Sequence, residues 1–268
     1  MVGATLQCLD MASDGPGASS SRLPKPIVAR QVYDGYGPSA IGGEAIATWK
    51  VGYFIDHFSA LLPRDRGASI VEVGCGQGEN LQGLRKLGYS DFCGIDISEA
   101  QLTQARSEFG LVDRVAQADA VNWLAERPAT FDCILAIDLL EHLELAELLE
   151  LGRACRSALQ PSGQLLVQVP NGVSPMNPIR DADITHVRAF TVQSLEQFFR
   201  LSGLKPVAFH ETPPRAHSVG GAMRRGFWKG AARPALRLAA LAIHGPTPGT
   251  QVLTANMIGI AEVDTNGA

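Results

Sequence analysis

The sequence predicts an α/β fold: a doubly wound, largely parallel sheet with helices on both faces. Three observations point to it. Strand and helix patterns alternate from Ala68 onward, a buried strand runs through a glycine-rich turn into a helix over residues 70–87, and successive strands end in an acid. With 268 residues and 46% hydrophobic content, the chain is long enough for one large domain with extensions.

Ser13 to Pro26 is rich in Ser, Gly and Pro and cannot bury enough surface to order itself, so residues 1–30 read as a disordered tail. Residues 31–66 read as an N-terminal helical cap. Within it, Tyr33 and Tyr36 either line a substrate mouth or serve as packing aromatics. Ile41, Ala45, Trp49, Phe54, Phe58 and Leu61 fall near one helix face that Pro63 closes, and this helix is placed as a lid over the glycine turn. The main domain is residues 67–268.

Ile70-Val71-Glu72-Val73 is a buried strand leading into Gly74, Gly76 and Gly78, where glycine allows positive φ and close approach of a ligand. The helix from Glu79 has Leu81, Leu84 and Leu87 at helical spacing and stops at Gly88. N–H groups at the start of such a helix favour an electron-rich group. A dinucleotide fingerprint wants glycine at position 79, and the carboxylate of Glu79 opposes a pyrophosphate, so a cofactor bearing an amine or sulfonium fits better. Glu72 either biases the turn toward such a cation or caps and tethers a loop.

The second strand, Phe92 to Asp96, ends in an acid, and Ser98 with Gln101 starts a helix that Gly110 stops. Asp96 either accepts hydrogen bonds from ribose hydroxyls or caps the next helix. The third strand is read from Val112 to Ala118 and ends at Asp119. That carboxylate, with the N–H of Ala120, has the polarity to read an adenine edge. The fourth strand, Phe131 to Ile137, ends at Asp138. A helix over Leu143 to Leu159, the turn Pro161-Ser162-Gly163 and a fifth strand from Gln164 to Val169 follow.

The net charge is −4, and five cysteines without metal-type spacing read as reduced core residues. No signal segment and no run of some 20 apolar residues occurs, so the expected compartment is the cytoplasm.

The ordered set VEVGCGQG, GIDIS, QADA, FDCILAIDLLEHL and LQPSGQLLVQVPN resembles the class I S-adenosylmethionine-dependent methyltransferases from about Tyr53 to Glu262. The resemblance implies a Rossmann-like seven-stranded sheet with its last strand antiparallel, Lys205–Thr212 and Gln251–Val263 being the final pair. It implies S-adenosyl-L-methionine as cofactor. Gly74, Gly76 and Gly78 would approach its methionine moiety, Glu72 its amino group, Asp96 its ribose, Asp119 and Ala120 its adenine, with Cys75 and Ile97 also among the cofactor-binding residues. Ile137 and Asp138 would sit beside the methyl donor.

On the acceptor side, residues 183–203 form a substrate loop and helix. The string T-H-x-x-x-F-T at Thr185 to Thr191 is similar to that of quinone-type O-methyltransferases, and D-x-T-H-x-R at Asp183 to Arg188 to methyltransferases of bacterial surface-polysaccharide clusters. A hydroxyl acceptor needs a base, and His142 and His186 are the two candidates. His142 alternatively bonds backbone at a helix start, and His186 alternatively anchors its loop to Asp183 or Asp181. Asn171, Asp183 and Arg188 are expected to bind the acceptor, Arg188 alternatively forming a loop-fixing salt bridge. Asp181, Asp183 and His186, or Asp138, Glu141 and His142, have the chemistry for a divalent cation, but acids beside a histidine more often orient it, and no metal is expected.

Residues 213–250 form a basic insertion between the last two strands. No Asp or Glu occurs from Thr212 to Ala261, while Arg215, Arg224, Arg225, Lys229, Arg233 and Arg237 do. As a helix, Met223 to Ile243 is amphipathic, suited to an anionic membrane surface or lipid-linked substrate, or else to packing on its own domain or in a homodimer. Gly226, Gly230 and Pro234 count against that helix. The expected function is O-methylation of a sugar or glycan hydroxyl in polysaccharide biosynthesis. The rivals are a quinone, phenol or other small metabolite as acceptor, and a cofactor-binding module without turnover. Nucleic acid is not expected as a partner, since no N-P-P-Y-like motif follows strand four.

Overall fold

A computed structural model describes residues 43–175, 177–181, 183–245 and 251–264. The tail, Ile41, Tyr33 and Tyr36 lie outside the described residues. The elements run α1 (Gly43–Phe58), β1 (Ile70–Val73), α2 (Glu79–Lys86), β2 (Phe92–Asp96), α3 (Glu99–Phe109), β3 (Val115–Gln117), α4 (Ala120–Ala125), β4 (Phe131–Ile137) and α5 (Leu145–Ala158). Then come β5 (Leu159–Pro170), α6 (Pro178–Asp181), α7 (Val192–Leu201), β6 (Leu204–Glu211), α8 (Val219–Phe227), α9 (Arg233–His244) and β7 (Asn256–Val263). The strands order β3-β2-β1-β4-β5-β7-β6 in one seven-stranded sheet. β7 is antiparallel to both β5 and β6, as expected. The chain forms two compact units divided between Leu135 and Ala136.

In the first unit β1 lies between β2 and β4, parallel to both, with Ile70 opposite Phe92 on one side and Cys133 on the other. Every β1 side chain is buried, including Glu72. α1 buries Ala47, Val51, Phe54 and Phe58, a spacing of four, three and four that follows one helical face. Ala45 and Trp49, expected on that face, are exposed instead, and Trp49 stacks on Tyr53. The phase is set by α2: a Cβ on Gly83 would stand 2.4 Å from Phe54 Cδ1, so glycine there admits the Phe54 ring. β3 is shorter than expected, because Val112–Arg114 forms a 3₁₀ turn. Arg114 holds that turn by donating to the carbonyls of Ser90 and Phe92.

In the second unit β5, β7 and β6 form the antiparallel ladder, and α7 presents Leu195 and Phe199 to Gly259, where a Cβ would meet Leu195 at 2.7 Å. Pro161-Ser162-Gly163, read from sequence as a turn, lies within β5, whose ladder to β7 spans Gln164 to Pro170. α5 begins later than expected, since Leu140–His142 is a separate 3₁₀ turn. α8 and α9 join through a π-helical turn, Trp228–Ala232, into one helical run despite Pro234. Pro234 lacks the N–H that an α-helix would give to the carbonyl four residues back, and the wider turn just before it accommodates the loss. Cys75, Cys93, Cys133 and Cys155 are buried and reduced.

Candidate active site

The first unit supplies the glycine turn. Gly74, Gly76 and Gly78 all have positive φ, at 73°, 50° and 82°. They do different things. A Cβ on Gly78 would stand 2.6 Å from Leu111 and 3.1 Å from Ala105, so this glycine lets the turn pack on α3. A Cβ on Gly76 would meet only Gln101 Oε1, at 3.9 Å, which leaves open space beside the backbone. The N–H groups do not wait for an anion: Gly74 and Cys75 donate to the Ile95 carbonyl, Gly78 to the Cys75 carbonyl, and Gly76 to Asp96 Oδ2 at 2.8 Å. Four of the turn's amides are therefore engaged within the protein, which adds to Glu79 in disfavouring a pyrophosphate. Glu79 is in fact paired, at 2.8 Å, with Lys50 of α1. That helix packs on α2 through Phe54 and this ion pair.

Acids surround the turn. Asp96 links it to α3, with Oδ1 accepting from the Ser98 N–H at 2.8 Å, while Ser98 itself caps α3. Asp119 caps α4 by accepting from the Asn122 N–H at 3.1 Å, and Ala120 is the first residue of that helix. Glu72 Oε1 accepts from Asn80 Nδ2, a tether between β1 and α2. The Cys75 thiol is pushed well above its ordinary range by burial, then by the charges of Glu72 and Asp96, so it is a packing group against Gly94. Ile97 accepts from Gln117 through its carbonyl. Open space at Gly76, with carboxylates at Glu72, Asp96 and Asp119 in the same unit, has the polarity for a ligand bearing hydroxyls and an amine.

In the second unit β4 ends at Ile137 and the chain turns sharply. Asp138 has φ of 52°, a left-handed conformation uncommon outside glycine. Gln168, buried in β5, holds it there from two sides: the Gln168 carbonyl accepts from the Asp138 N–H, and Gln168 Nε2 donates to Asp138 Oδ1 at 2.9 Å. The 3₁₀ turn that follows carries Glu141 inward and His142 to a half-buried position.

The loop 183–188 is fastened onto this turn. The Val187 N–H donates to the Glu141 carbonyl at 2.9 Å, and His142 Nδ1 lies 2.8 Å from Thr185 Oγ1. Thr185 donates its single hydroxyl hydrogen to Asp183 Oδ1 at 2.7 Å, and its N–H reaches the same oxygen at 2.8 Å. The Thr185 oxygen is then an acceptor, so Nδ1 of His142 is the protonated nitrogen and Nε2 carries the lone pair. Burial, with the neighbouring His186 ring, holds the His142 pKa below the ordinary histidine value. His186 stands edge-on to His142, ring centroids 4.6 Å apart, and its Nδ1 lies 3.1 Å from the Arg180 carbonyl. That carbonyl accepts only, so Nδ1 donates and the ring is anchored to backbone. Glu141 is pushed up to about 9, first by burial, then by the charges of Asp138 and Asp183. It lies 3.9 Å from His186 Nε2.

The structure thus brings His142, His186, Asp183 and Glu141 together. The metal-type grouping is neither of the two expected from sequence: Glu141, His142 and His186 present one ligand-type atom each within 4.8 Å of one another. Asn171, expected to face the acceptor, is fully buried. Its Nδ2 donates to the carbonyls of Val252 and Thr254, both at 2.9 Å, a clamp between β5 and the segment before β7. Arg188 is half-buried, with its Nε enclosed and without a hydrogen-bond partner among the described residues. Lys50, Asn80, Gln168 and Thr185 were not singled out from sequence. Only Thr185 carried a signal, as the residue before the histidine in its motif.

The family model described as Methyltransferase domain matches residues 49–208. The ubiquinone biosynthesis O-methyltransferase of Stutzerimonas stutzeri strain A1501 is 32% identical over 109 residues, 39% of this chain and 45% of that protein. The chain thus matches about half the length of the curated relatives found. Among solved structures, a SAM-dependent methyltransferase from Archaeoglobus fulgidus has a TM-score of 0.58 at 20% identity, over 79% of this chain and 94% of that one. Phosphoethanolamine N-methyltransferase 2 of Haemonchus contortus, solved with S-adenosyl-L-methionine, has a TM-score of 0.58 at 16% identity, over 90% of this chain and 61% of that one. At these identities the two structures show likeness of fold.

Proposed function

Because the chain belongs to the methyltransferase-domain family, with S-adenosyl-L-methionine as methyl donor, we propose that it methylates a hydroxyl group and that His142 is the general base. The observation that carries this is the hydrogen-bonded series Asp183, Thr185, His142, which leaves Nε2 of His142 as a proton acceptor. Gly76 gives room for the donor, Asp96 takes its ribose hydroxyls, Asp119 and Ala120 its adenine, and Glu72 its amino group. When bound, the donor supplies a methyl group on a sulfonium, open to in-line displacement. His142 takes the acceptor's proton as the oxygen becomes nucleophilic. Asp183, through Thr185, keeps the imidazole in the right tautomer and favours the imidazolium that forms.

A phenolic or quinol-type small molecule is the better-supported acceptor. The loop exposes Ile184 and Val187, and Ile179 precedes it, while Asn171 is withdrawn from contact. The curated relatives are O-methyltransferases of ubiquinone biosynthesis, which supports the same class. The glycan reading keeps one favouring observation, the enclosed Nε of Arg188 in the polar loop. Transfer of labelled methyl from S-adenosylmethionine to a panel of catechols and hydroxybenzoates, beside nucleotide sugars and glycans, separates the two. Turnover of phenols alone is expected. Turnover of sugars alone would reverse the order, and none with any hydroxyl acceptor would remove the proposal.

A further inference from the structure

The helical run Val219–His244 turns its apolar side outward. Val219, Met223, Phe227, Leu238 and Leu241 are exposed by 81, 71, 68, 68 and 51%. The residues turned toward the protein recur at helical spacing and are small or polar as often as apolar: Gly221 is buried, and Arg225, Trp228, Arg233, Leu236 and Ala240 are half-buried. Arg233 is fixed there by Glu211 at 2.6 Å, so one cation of the segment serves to seat the helix. Ser218 caps its first turn, and Gly221 sits close under the Arg215 carbonyl. The helix is thus held on its polar side, with most of its large apolar side chains left to solvent. An amphipathic helix that merely packed on its own domain would be turned the other way.

Cations border the exposed stripe. Arg224 falls on one flank and Lys229 and Arg237 on the other, all exposed, and the segment from Thr212 to Ala261 contains no acid. At 1.5 Å per residue the run is about 39 Å long. No helix among the described residues is long and apolar enough to cross a membrane. We propose that this helix lies flat on an anionic phospholipid surface, its apolar stripe in the acyl boundary and Arg224, Lys229 and Arg237 at the headgroup phosphates. Charge complementarity selects this occupant over a second copy of the chain. A two-fold contact through the same face would press three unneutralised cations against three others, with no acid in the segment to answer them.

The test is flotation of the full chain with phosphatidylcholine vesicles, with and without phosphatidylglycerol, at low and high salt. Binding is expected only with the anionic lipid and should weaken steeply with salt. Arg237→Gln should lower the partition coefficient about fivefold. Phe227→Glu should abolish binding while leaving the circular dichroism spectrum and donor binding unchanged. Failure of the folded wild type to bind anionic vesicles at low salt would overturn the proposal. So would unchanged binding by Phe227→Glu, since charge alone would then be responsible. A concentration-dependent dimer that Phe227→Glu dissociates, without vesicle binding, would assign the face to a second copy instead.

Discussion

His142 and Glu141 are sequence neighbours placed in opposite situations, and their pH behaviour should differ accordingly. His142 titrates below the ordinary histidine value of 6.5, so its base form persists to lower pH, and the acid limb of kcat/KM should fall below that value. His142→Gln should cost about 10² to 10⁴ in kcat and erase that limb, with donor affinity unchanged. Thr185→Val removes the acceptor that fixes the tautomer, so it should lower kcat more than it raises KM. Glu141 has its folded pKa raised from 4.5 to about 9, meaning the native state holds the proton more tightly than the unfolded chain. Its stabilising contribution is therefore complete below pH 4.5 and is lost as pH rises toward 9. Thermal melts of wild type should drop over that window, whereas Glu141→Gln, which keeps a neutral side chain, should flatten the slope. Dialysis against EDTA is expected to leave turnover intact; a loss restored by a divalent ion would instead make Glu141, His142 and His186 a metal site. Asp96→Ala should weaken donor binding by calorimetry without changing the His142-dependent pH profile.

At the scale of elements, α1 is held on α2 by its buried face, and Phe54 is its central anchor. Phe54 is fully buried, stacked on Phe58 at 5.0 Å and seated over Gly83. Phe54→Ala should destabilise the fold by about 3–5 kcal/mol in denaturant titration. Element existence was readable wherever local chemistry was strong. β2 and β4 match their expected spans, Gly88, Gly110 and Gly203 stop helices in left-handed conformations, and α7 falls in the segment 183–203 read as a loop and helix. What was not readable depended on partners distant in sequence. The phase of α1 is chosen by a glycine 29 residues beyond Phe54, and β3 is shortened by Arg114 reaching back to Ser90 and Phe92. Asn171 looked like an exposed polar residue after a strand, yet the segment 252–254 arrives to cover it. No local pattern announces that. The π turn before Pro234 is another instance: the sequence shows a helix breaker, and the structure shows a wider turn that absorbs it.

At the scale of the whole molecule, the general plan of the fold and its individual traits separate by where they were legible. The glycine turn and the strand-end acids follow from short-range residue chemistry, so candidate donor residues could be named by position, whereas the seven-stranded sheet with its antiparallel last strand was what the family resemblance implied. The proposed base could not be so named, because the proposal of His142 rests on which of its nitrogens is protonated, and that follows from Thr185 and Asp183 in a loop more than 40 residues away. The fastening of this loop to the turn after β4 has a consequence for change over time. The residues that tune His142 sit on the same short segment as Arg188 and Ile184, which would meet the acceptor. Acceptor preference and base competence therefore cannot be exchanged as separate modules. A loop grafted in from another member of the family should bring its specificity only if it also carries an Asp and a Thr in register with positions 183 and 185. A graft lacking them should bind its new acceptor and leave it unmethylated, and variants that broaden specificity should accumulate at 184, 187 and 188 while those two positions stay fixed.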